Sequence, residues 1–265
     1  MSKKLNNKIS KAFDNTNKKA FIGFLTAGDP DADSTVNFIL EMDRAGCDLI
    51  EIGIPFSDPT AEGVVIQEAN IRSLGNGMTT DGVFDIVKRV REKSDIPLCF
   101  MTYANPVFHY GYDEFFSKCE ELGVDGIIVP DIPFEEKEEM EGPANAHNVS
   151  VISMVSPTSE ARIKNIAEGA DGFIYVVSSM GVTGVRNEIK TDIEGIVKHI
   201  REVTDTPCAI GFGISTPEQA ADMASKSDGA IVGSAIVRII EKYGKDAAPY
   251  LYDYIKSMKD AVASV

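Results

Sequence analysis

The sequence predicts an α/β protein, a single (β/α)8 TIM barrel with an extra N-terminal helix. Short apolar runs rich in β-branched residues recur along the chain, and the intervals between them leave room for a helix. Strict alternation of strands and helices favours a parallel sheet. The 265 residues fit one barrel, and no linker, low-complexity segment or sequence repeat divides them, so residues 1–265 are interpreted as one domain.

Eight apolar runs are predicted as strands. They are Ala20–Ala27, Asp48–Gly53, Pro97–Tyr103, Gly126–Pro130, Val149–Val155, Gly172–Val177, Cys208–Gly213 and Gly229–Gly233. An open, doubly wound sheet is the alternative architecture. The number of strands argues against it, as does the lack of a Gly-x-Gly-x-x-Gly turn after the first strand.

The segments between the strands carry helix signals. Apolar residues fall on one helical face of residues 81–93, and Thr80 is the predicted N-cap. Residues 113–123 end at a glycine, and residues 217–226 begin with a proline in the first turn. Residues 1–18 are polar apart from an apolar patch, which predicts a helix covering the amino-terminal end of the barrel.

Composition excludes several classes of function. The net charge of −15 would repel nucleic acid and anionic membrane surfaces, so we expect neither as a partner. The sequence has no apolar run of membrane-spanning length and no signal peptide, and the spacing of its four cysteines fits neither a metal site nor a disulfide framework. These features predict a cytoplasmic protein without a metal.

Glu51 is the most informative residue, because it is a carboxylate in an otherwise apolar strand. Functional residues of such barrels lie at the carboxyl-terminal ends of the strands. Side chains alternate along a strand, and the purely aliphatic face formed by Ile50, Ile52 and Ile54 should meet the helices. Glu51 is therefore predicted to face the barrel mouth with a tuned pKa; a buried glutamate satisfied by a neighbouring group is the alternative.

Three other acids follow predicted strands. Asp58 lies in a Ser-Asp-Pro turn, which favours a structural or interface role. Glu62 fits a solvated loop tip and a site residue equally well. Asp131 follows the fourth strand, where turn chemistry explains it as well as function does.

Glycine-bearing segments follow the sixth, seventh and eighth strands, and they end at Gly184, Gly213 and Gly233-Ser234. Glycine allows backbone N–H groups to approach a phosphate, and a helix beginning at Ser234 would add the positive end of its dipole. These segments predict a phosphorylated substrate. Aromatic residues at strand positions could line the same mouth around a flat apolar ligand, although aromatic residues are usually core. They are Phe24, Tyr103, Tyr175 and Phe212.

With these residues assembled, the chain resembles the tryptophan synthase alpha subunit family over almost its whole length. The motifs that carry the resemblance are Phe24–Pro30, Glu51–Pro59, Met101–Phe108, Pro130–Pro133, Tyr175–Gly184, Gly211–Ile214 and Gly233–Val237. The resemblance implies retro-aldol cleavage of indole-3-glycerol phosphate to indole and glyceraldehyde 3-phosphate.

The resemblance also implies roles for the candidate residues. Glu51 would be the general acid–base that protonates the indole carbon, and Glu62 would stabilise positive charge on the ring. Thr183 would lie in a loop that closes over the substrate. Phosphate would be held by Gly184, Gly213, Gly233 and Ser234. Indole would contact Phe24, Tyr103, Tyr175 and Phe212.

Two departures from the family pattern stand out. Glu62 occupies a position where the family usually has aspartate, and Ser179 replaces a common arginine. The alternatives are therefore a weakened alpha-like subunit that mainly activates its partner, or another phosphosugar-binding barrel. The resemblance implies a beta subunit as partner, in an alpha2beta2 tetramer, and no cofactor in this chain, because pyridoxal phosphate belongs to the beta subunit.

Overall fold

The computed structural model describes residues 5, 7–14, 19–178, 192–211 and 213–265. Within these ranges, nine strand segments form one parallel sheet in the order β5-β4-β3-β2-β1-β9-β8-β7-β6. The strands are β1 (Ala20–Thr26), β2 (Leu49–Gly53), β3 (Leu98–Met101), β4 (Gly126–Ile128), β5 (Ser150–Val151), β6 (Ser153–Val155), β7 (Ile174–Val177), β8 (Cys208–Gly211) and β9 (Gly229–Val232).

The predicted fifth strand accounts for the ninth segment. Only Ile152 separates β5 from β6, and its N–H donates to the Ile127 carbonyl at 2.9 Å. β5 pairs with β4, whereas β6 pairs with β7, so this one extended segment joins both sides of the sheet. The predicted eight-stranded barrel is therefore confirmed, with its fifth strand divided into two short ladders.

Helices follow the strands as predicted. They are α1 (Ile9–Phe13), α2 (Ala32–Arg44), α3 (Val64–Gly75), α4 (Thr80–Arg91), α5 (Ala104–Tyr110), α6 (Tyr112–Leu122), α7 (Glu138–Ala146), α8 (Glu160–Glu168), α9 (Ile193–Arg201), α10 (Pro217–Ser225), α11 (Ser234–Tyr243) and α12 (Ala248–Val262). Short 3-10 turns occupy Phe134–Glu136 and Gly244–Asp246. None of the helices in the described ranges is long and apolar enough to cross a membrane.

The helix signals in the sequence are accurate to within a residue or two. Thr79, and not Thr80, caps α4, because its side chain accepts the Gly82 N–H. Gly123 ends α6 in the left-handed conformation. Thr216 caps α10 with Gln219 in a reciprocal capping box, and Pro217 occupies the first turn.

The core has two layers, as expected for a barrel with helices around it. The outer layer packs alternate strand residues such as Ile50, Ile52 and Phe100 against the helices. The inner layer fills the barrel with the other set of strand residues, including Leu49, Cys99 and Tyr175. This alternation fixes the face of each strand that looks into the barrel.

The short helix α1 covers the amino-terminal end of the barrel. Ile9 and Ala12 are buried in the inner layer, and the Phe13 ring lies 5.7 Å from the Phe173 ring. Asn7 Nδ2 donates to Ser150 Oγ at 2.7 Å, which ties the segment to the start of β5. The predicted N-terminal helix is confirmed over Ile9–Phe13; the rest of the predicted range 1–18 lies largely outside the described residues.

Four aspartates stand at the same end, each just before a strand. Asp48 accepts from Phe21 N at 2.7 Å, Asp125 from Leu98 N at 3.1 Å, and Asp228 from Cys208 N at 2.7 Å. Asp171 accepts from Ser150 Oγ at 2.5 Å. Each aspartate therefore joins its own strand to the strand beside it, once for every two strands of the barrel.

Candidate active site

Glu51 lies in the middle of β2 with its side chain in the inner layer of the barrel. In the sheet register it is flanked by Phe24 and Cys99, and Glu51 itself is 1% exposed. Within the described part of the chain, its Oε1 atom has no hydrogen-bond partner. Burial raises the pKa of Glu51 to about 8. The side chain therefore carries a transferable proton near neutral pH, and none of the described residues bonds to Oε1.

Glu62 lies in the loop after β2, immediately before α3, and it is buried at the barrel mouth. Its Oε2 atom accepts from Asn70 Nδ2 at 2.7 Å, and its backbone carbonyl accepts from Gln67 Nε2 at 2.8 Å. Burial raises the pKa of Glu62 to about 7, although hydrogen bonds from Asn70 and Tyr103 act to lower it. The Glu62 carboxylate is therefore buried and hydrogen-bonded, and it does not lie at a solvated loop tip.

Tyr103 connects this loop to the end of β3. Its hydroxyl accepts from Ala61 N at 3.1 Å, and its ring lies 5.3 Å from the Phe56 ring. Tyr103 is 2% exposed, and burial raises the pKa of its hydroxyl above the usual range. The structure thus places the Tyr103 hydroxyl against the Glu62 loop.

Phe24 and Tyr175 both lie in the inner layer, and two glycines make room for them. A Cβ on Gly53 would lie 2.8 Å from the Phe24 ring, and a Cβ on Gly211 would lie 2.3 Å from the Tyr175 hydroxyl oxygen. Any larger residue at either position would have to push an aromatic ring aside. The strand ends near Glu51 are therefore shaped around these two rings.

Two of the residues predicted to bind phosphate, Gly213 and Gly233, follow neighbouring strands. Gly213 follows β8 with φ +79°, and Gly233 follows β9 as the N-cap of the ten-residue helix α11, which begins at Ser234. A Cβ on Gly233 would lie 3.3 Å from the Phe24 ring, so this helix start borders the same aromatic wall. The first-turn N–H groups of α11 have no side-chain cap. This arrangement suits an anion.

Three predicted site residues lie outside the described residues. They are Thr183, Gly184 and Phe212, and the departure noted at Ser179 lies there too.

A cavity of about 560 Å³ opens beside the Glu62 loop. Its walls include Thr60 and Ala61 from that loop, Met154 from β6 and Val177 from β7. Pro130, after β4, lines it as well. The cavity therefore borders the Glu62 loop, but neither Glu51 nor Glu62 is among its described lining residues.

The remaining predicted acids have local partners. Asp58 is exposed and accepts from its neighbour Ser57 Oγ at 2.5 Å. Asp131 Oδ1 accepts from Ala104 N at 2.9 Å, at the start of α5. Asp131 therefore ties the loop after β4 to the start of α5, 27 residues away in the sequence, which is a structural role different from the turn chemistry considered for it.

Sequence reasoning missed Asn70, Arg72 and the helix that carries them. Arg72 makes a two-pronged ion pair with the buried Asp29, at 2.9 and 2.8 Å. The spacing of Glu62 and Asn70, with a helix beginning between them, was the available signal.

A group of surface side chains on α8, α9 and just beyond α9 has the composition of a metal site. Glu160, His199 and Glu202 offer ligand atoms within 4.8 Å of one another. Lys164 Nζ, however, lies 2.5 Å from a carboxylate oxygen of both glutamates. The lysine supplies the positive charge there, so an ion-pair network explains the group.

The four cysteines are buried and free, as small hydrophobic residues would be. Burial raises the pKa of Cys99 and Cys119 well above the usual value, so their thiols stay protonated.

Two buried acids at the mouth of a (β/α)8 barrel, beside a helix start of the kind that suits an anion, are typical of an enzyme that transfers protons on a small phosphorylated substrate. The profile of the family described as tryptophan synthase alpha chain matches residues 11–263. The chain belongs to this family, whose members are lyases acting on indole-3-glycerol phosphate.

Individual relatives agree over nearly the full length. The tryptophan synthase alpha chain of Lactiplantibacillus plantarum is 48% identical over 247 residues, which cover 93% of each chain. The crystal structure of the alpha chain from Legionella pneumophila superimposes with a TM-score of 0.87 at 34% identity and covers 98% of each chain. A chain from the a2b2 complex of Pyrococcus furiosus gives a TM-score of 0.84 at 36% identity, covering 92% of this chain and 99% of its own.

Proposed function

We propose that Glu51 and Glu62 are the catalytic acids with which this tryptophan synthase alpha chain splits indole-3-glycerol phosphate. The observation that carries the proposal is the buried Glu51 carboxyl, whose Oε1 atom has no partner among the described residues and whose pKa is raised to about 8. A general acid is most effective when its pKa lies near the working pH.

In the proposed reaction, Glu51 gives its proton to the indole carbon that bears the glycerol chain. The ring then carries positive charge, which the ionised Glu62 stabilises by accepting the indole N–H. The bond between the ring and the glycerol carbon breaks, and its electron pair restores the indole. The glycerol carbon becomes the aldehyde of glyceraldehyde 3-phosphate as its hydroxyl proton leaves, and Glu51, now ionised, takes that proton.

Binding is assigned to the other residues predicted at the mouth. Gly184, Gly213, Gly233 and Ser234 would hold the phosphate, with support from the uncapped start of α11. The indole ring would lie among Phe24, Tyr103, Tyr175 and Phe212, with Thr183 in the covering loop. Holding both ends of the substrate fixes the scissile bond at Glu51.

A beta subunit is the proposed partner, because the Pyrococcus furiosus structure is described as an a2b2 complex with mutual activation. The proposed contact surface includes residues 105–108, which lie in helix α5 within the family motif Met101–Phe108. Val107 is buried there, whereas the Phe108 side chain is 66% exposed and available to a partner. Pyridoxal phosphate is assigned to the beta subunit, and the scheme for this chain uses no cofactor.

The protein is proposed to work in the cytoplasm. Its four cysteines are free thiols in the fold, which suits a reducing compartment.

The test is release of indole from indole-3-glycerol phosphate by the purified chain, alone and with a beta subunit. We expect slow release alone and faster release with the partner. Glu51→Gln should lower the rate by about a thousandfold, because glutamine keeps the shape but cannot give a proton.

Two results would contradict this proposal. No indole under either condition, with the beta subunit still activated, would make the chain a regulatory subunit. Full activity in Glu51→Gln would remove Glu51 from the chemistry.

A further inference from the structure

The side chain of Asn70 donates a hydrogen bond to the Glu62 carboxylate. The Nδ2 to Oε2 distance is 2.7 Å, and both residues are nearly inaccessible, at 4% and 6% exposure. A buried asparagine amide is retained only where its polar atoms find partners. Here the partner is the candidate catalytic carboxylate itself.

The helix that carries Asn70 is fixed to the loop after β1. Arg72 pairs with Asp29, Ser73 Oγ donates to the Ala27 carbonyl at 2.6 Å, and Asn76 Nδ2 donates to the Pro30 carbonyl at 2.7 Å. Three side chains from one turn and a half of α3 therefore hold the helix at the barrel mouth. A donor mounted on such a helix holds its acceptor more firmly than one on a loop.

We infer that Asn70 is a positioning residue for Glu62, which holds the carboxylate in one orientation and favours its charged form. The inference rests on the proposed function, in which Glu62 must be ionised to stabilise the indole ring. Since Oε2 faces a donor, a protonated Glu62 would have to carry its proton on the other oxygen. The negative form accepts the amide hydrogen bond more strongly than the neutral form does.

The described groups that favour the charged form of Glu62 are themselves neutral. Tyr103, at the start of α5, is a second described side chain that bonds to Glu62. The charge of Asp131, after β4, raises the pKa of the Tyr103 hydroxyl. In the described part of the chain, the groups that shift the Glu62 pKa are Asn70 and Tyr103, neither of which is charged at neutral pH. Removal of one of two neutral donors should therefore raise the pKa of Glu62.

The test is the pH dependence of kcat/KM for indole release by the full chain with a beta subunit. In the wild type, the acid limb should report ionisation of Glu62 and the alkaline limb ionisation of Glu51. Asn70→Leu should move the acid limb up by about one pH unit and lower kcat/KM at neutral pH by up to about tenfold. Asn70→Asp should move it further, because a second carboxylate repels the first.

The alkaline limb should stay in place in both variants, because the Asn70 amide bonds to Glu62 and burial, with no contribution from Asn70, sets the pKa of Glu51. Asn37→Leu, an exposed asparagine in the middle of α2, is the matched control and should leave the profile unchanged. A loss that is equal at every pH would overturn the inference and leave Asn70 a purely structural role. A wild-type chain that releases no indole would instead refute the proposed function.

Discussion

At the amino-terminal end of the barrel, four aspartates accept hydrogen bonds from neighbouring strands, whereas inside the mouth Glu51 Oε1 accepts none from the described residues. Three of the aspartates, Asp48, Asp125 and Asp228, also meet cations. Lys259 pairs with Asp48 at 2.5 Å, and Arg201 pairs with Asp228. The described donors to Glu62, nearer the mouth, are the neutral side chains of Asn70 and Tyr103. Carboxylates at the amino-terminal end are thus paired with cations, whereas those of Glu51 and Glu62 have no cationic partner among the described residues.

Burial alone does not separate the two ends. It raises the pKa of Asp125 as well, but the N–H groups of Lys8 and Leu98 and the charge of Arg91 oppose the rise. Glu51 lacks such compensation, and its pKa reaches about 8. A buried acid whose partners offset its desolvation serves stability, and one without them is poised for proton transfer.

The largest effect should come from Glu51→Gln on stability at alkaline pH. The unfolded carboxyl titrates near 4.5 and the folded one near 8. Between these values the folded chain binds more protons, so rising pH weakens the fold. Glutamine has no such proton. The free energy of unfolding of Glu51→Gln should therefore exceed that of the wild type, by an amount that grows from near zero in acid to a few kcal/mol at pH 8. Urea denaturation at a series of pH values measures this difference.

Glu92→Gln, at the exposed end of α4, is the matched control and should show no such gain. Equal stability of Glu51→Gln and the wild type at pH 8 would mean that the barrel solvates the ionised carboxylate. The contrast between the two ends would then fail.

Asp125→Ala should have the opposite outcome, with lost stability and retained chemistry. The variant leaves two backbone N–H groups without their acceptor and leaves Arg91 without its nearby charge. We expect the free energy of unfolding to fall by about 2–4 kcal/mol, while kcat per folded molecule stays unchanged. Asp95→Ala, a surface aspartate paired with Lys8, should change neither quantity measurably. A fall in kcat for Asp125→Ala at full folding would show that the two ends are coupled.

The smallest effect should come from Ser234→Asp at the start of α11. A carboxylate there interacts favourably with the helix dipole, so the melting temperature should hold or rise slightly. The same charge should repel the substrate phosphate and raise KM by about tenfold or more. Ser159→Asp makes the same change at the N-cap of α8, which follows β6, three strands from β9, and should leave KM unchanged. An unchanged KM in Ser234→Asp would move the phosphate elsewhere.

The sequence predicts the scaffold well because buried strands are continuous apolar runs, and Glu51 stands out as the exception in one of them. Helix α3 escaped prediction for a physical reason. Asn70 and Ser73 point inward, whereas Val64 and Ile71 are 66% and 69% exposed. The buried side of α3 mixes Ile66 and Ala69 with these two polar residues, so the sequence lacks the clear apolar stripe of an ordinary amphipathic helix.

The pairing of Glu62 could be predicted only in part, from the spacing of Glu62 and Asn70. Its burial depends on Asn70, eight residues further on, and on Tyr103 from another strand. The division of the fifth strand at Ile152 depends on which neighbour each half meets, and that is a property of barrel closure.

At the amino-terminal end of the barrel, each hydrogen bond accepted by one of the four aspartates acts as a clamp between two strands. These clamps divide the chain into units. Each links residues only 20 to 27 positions apart, and no two of them overlap along the sequence. A cut between α3 and α4, or between Asp125 and Ser150, therefore leaves every clamp inside one fragment. Cuts at those points suit circular permutation or reassembly from two pieces, whereas a cut between Phe21 and Asp48 would split a clamp between fragments.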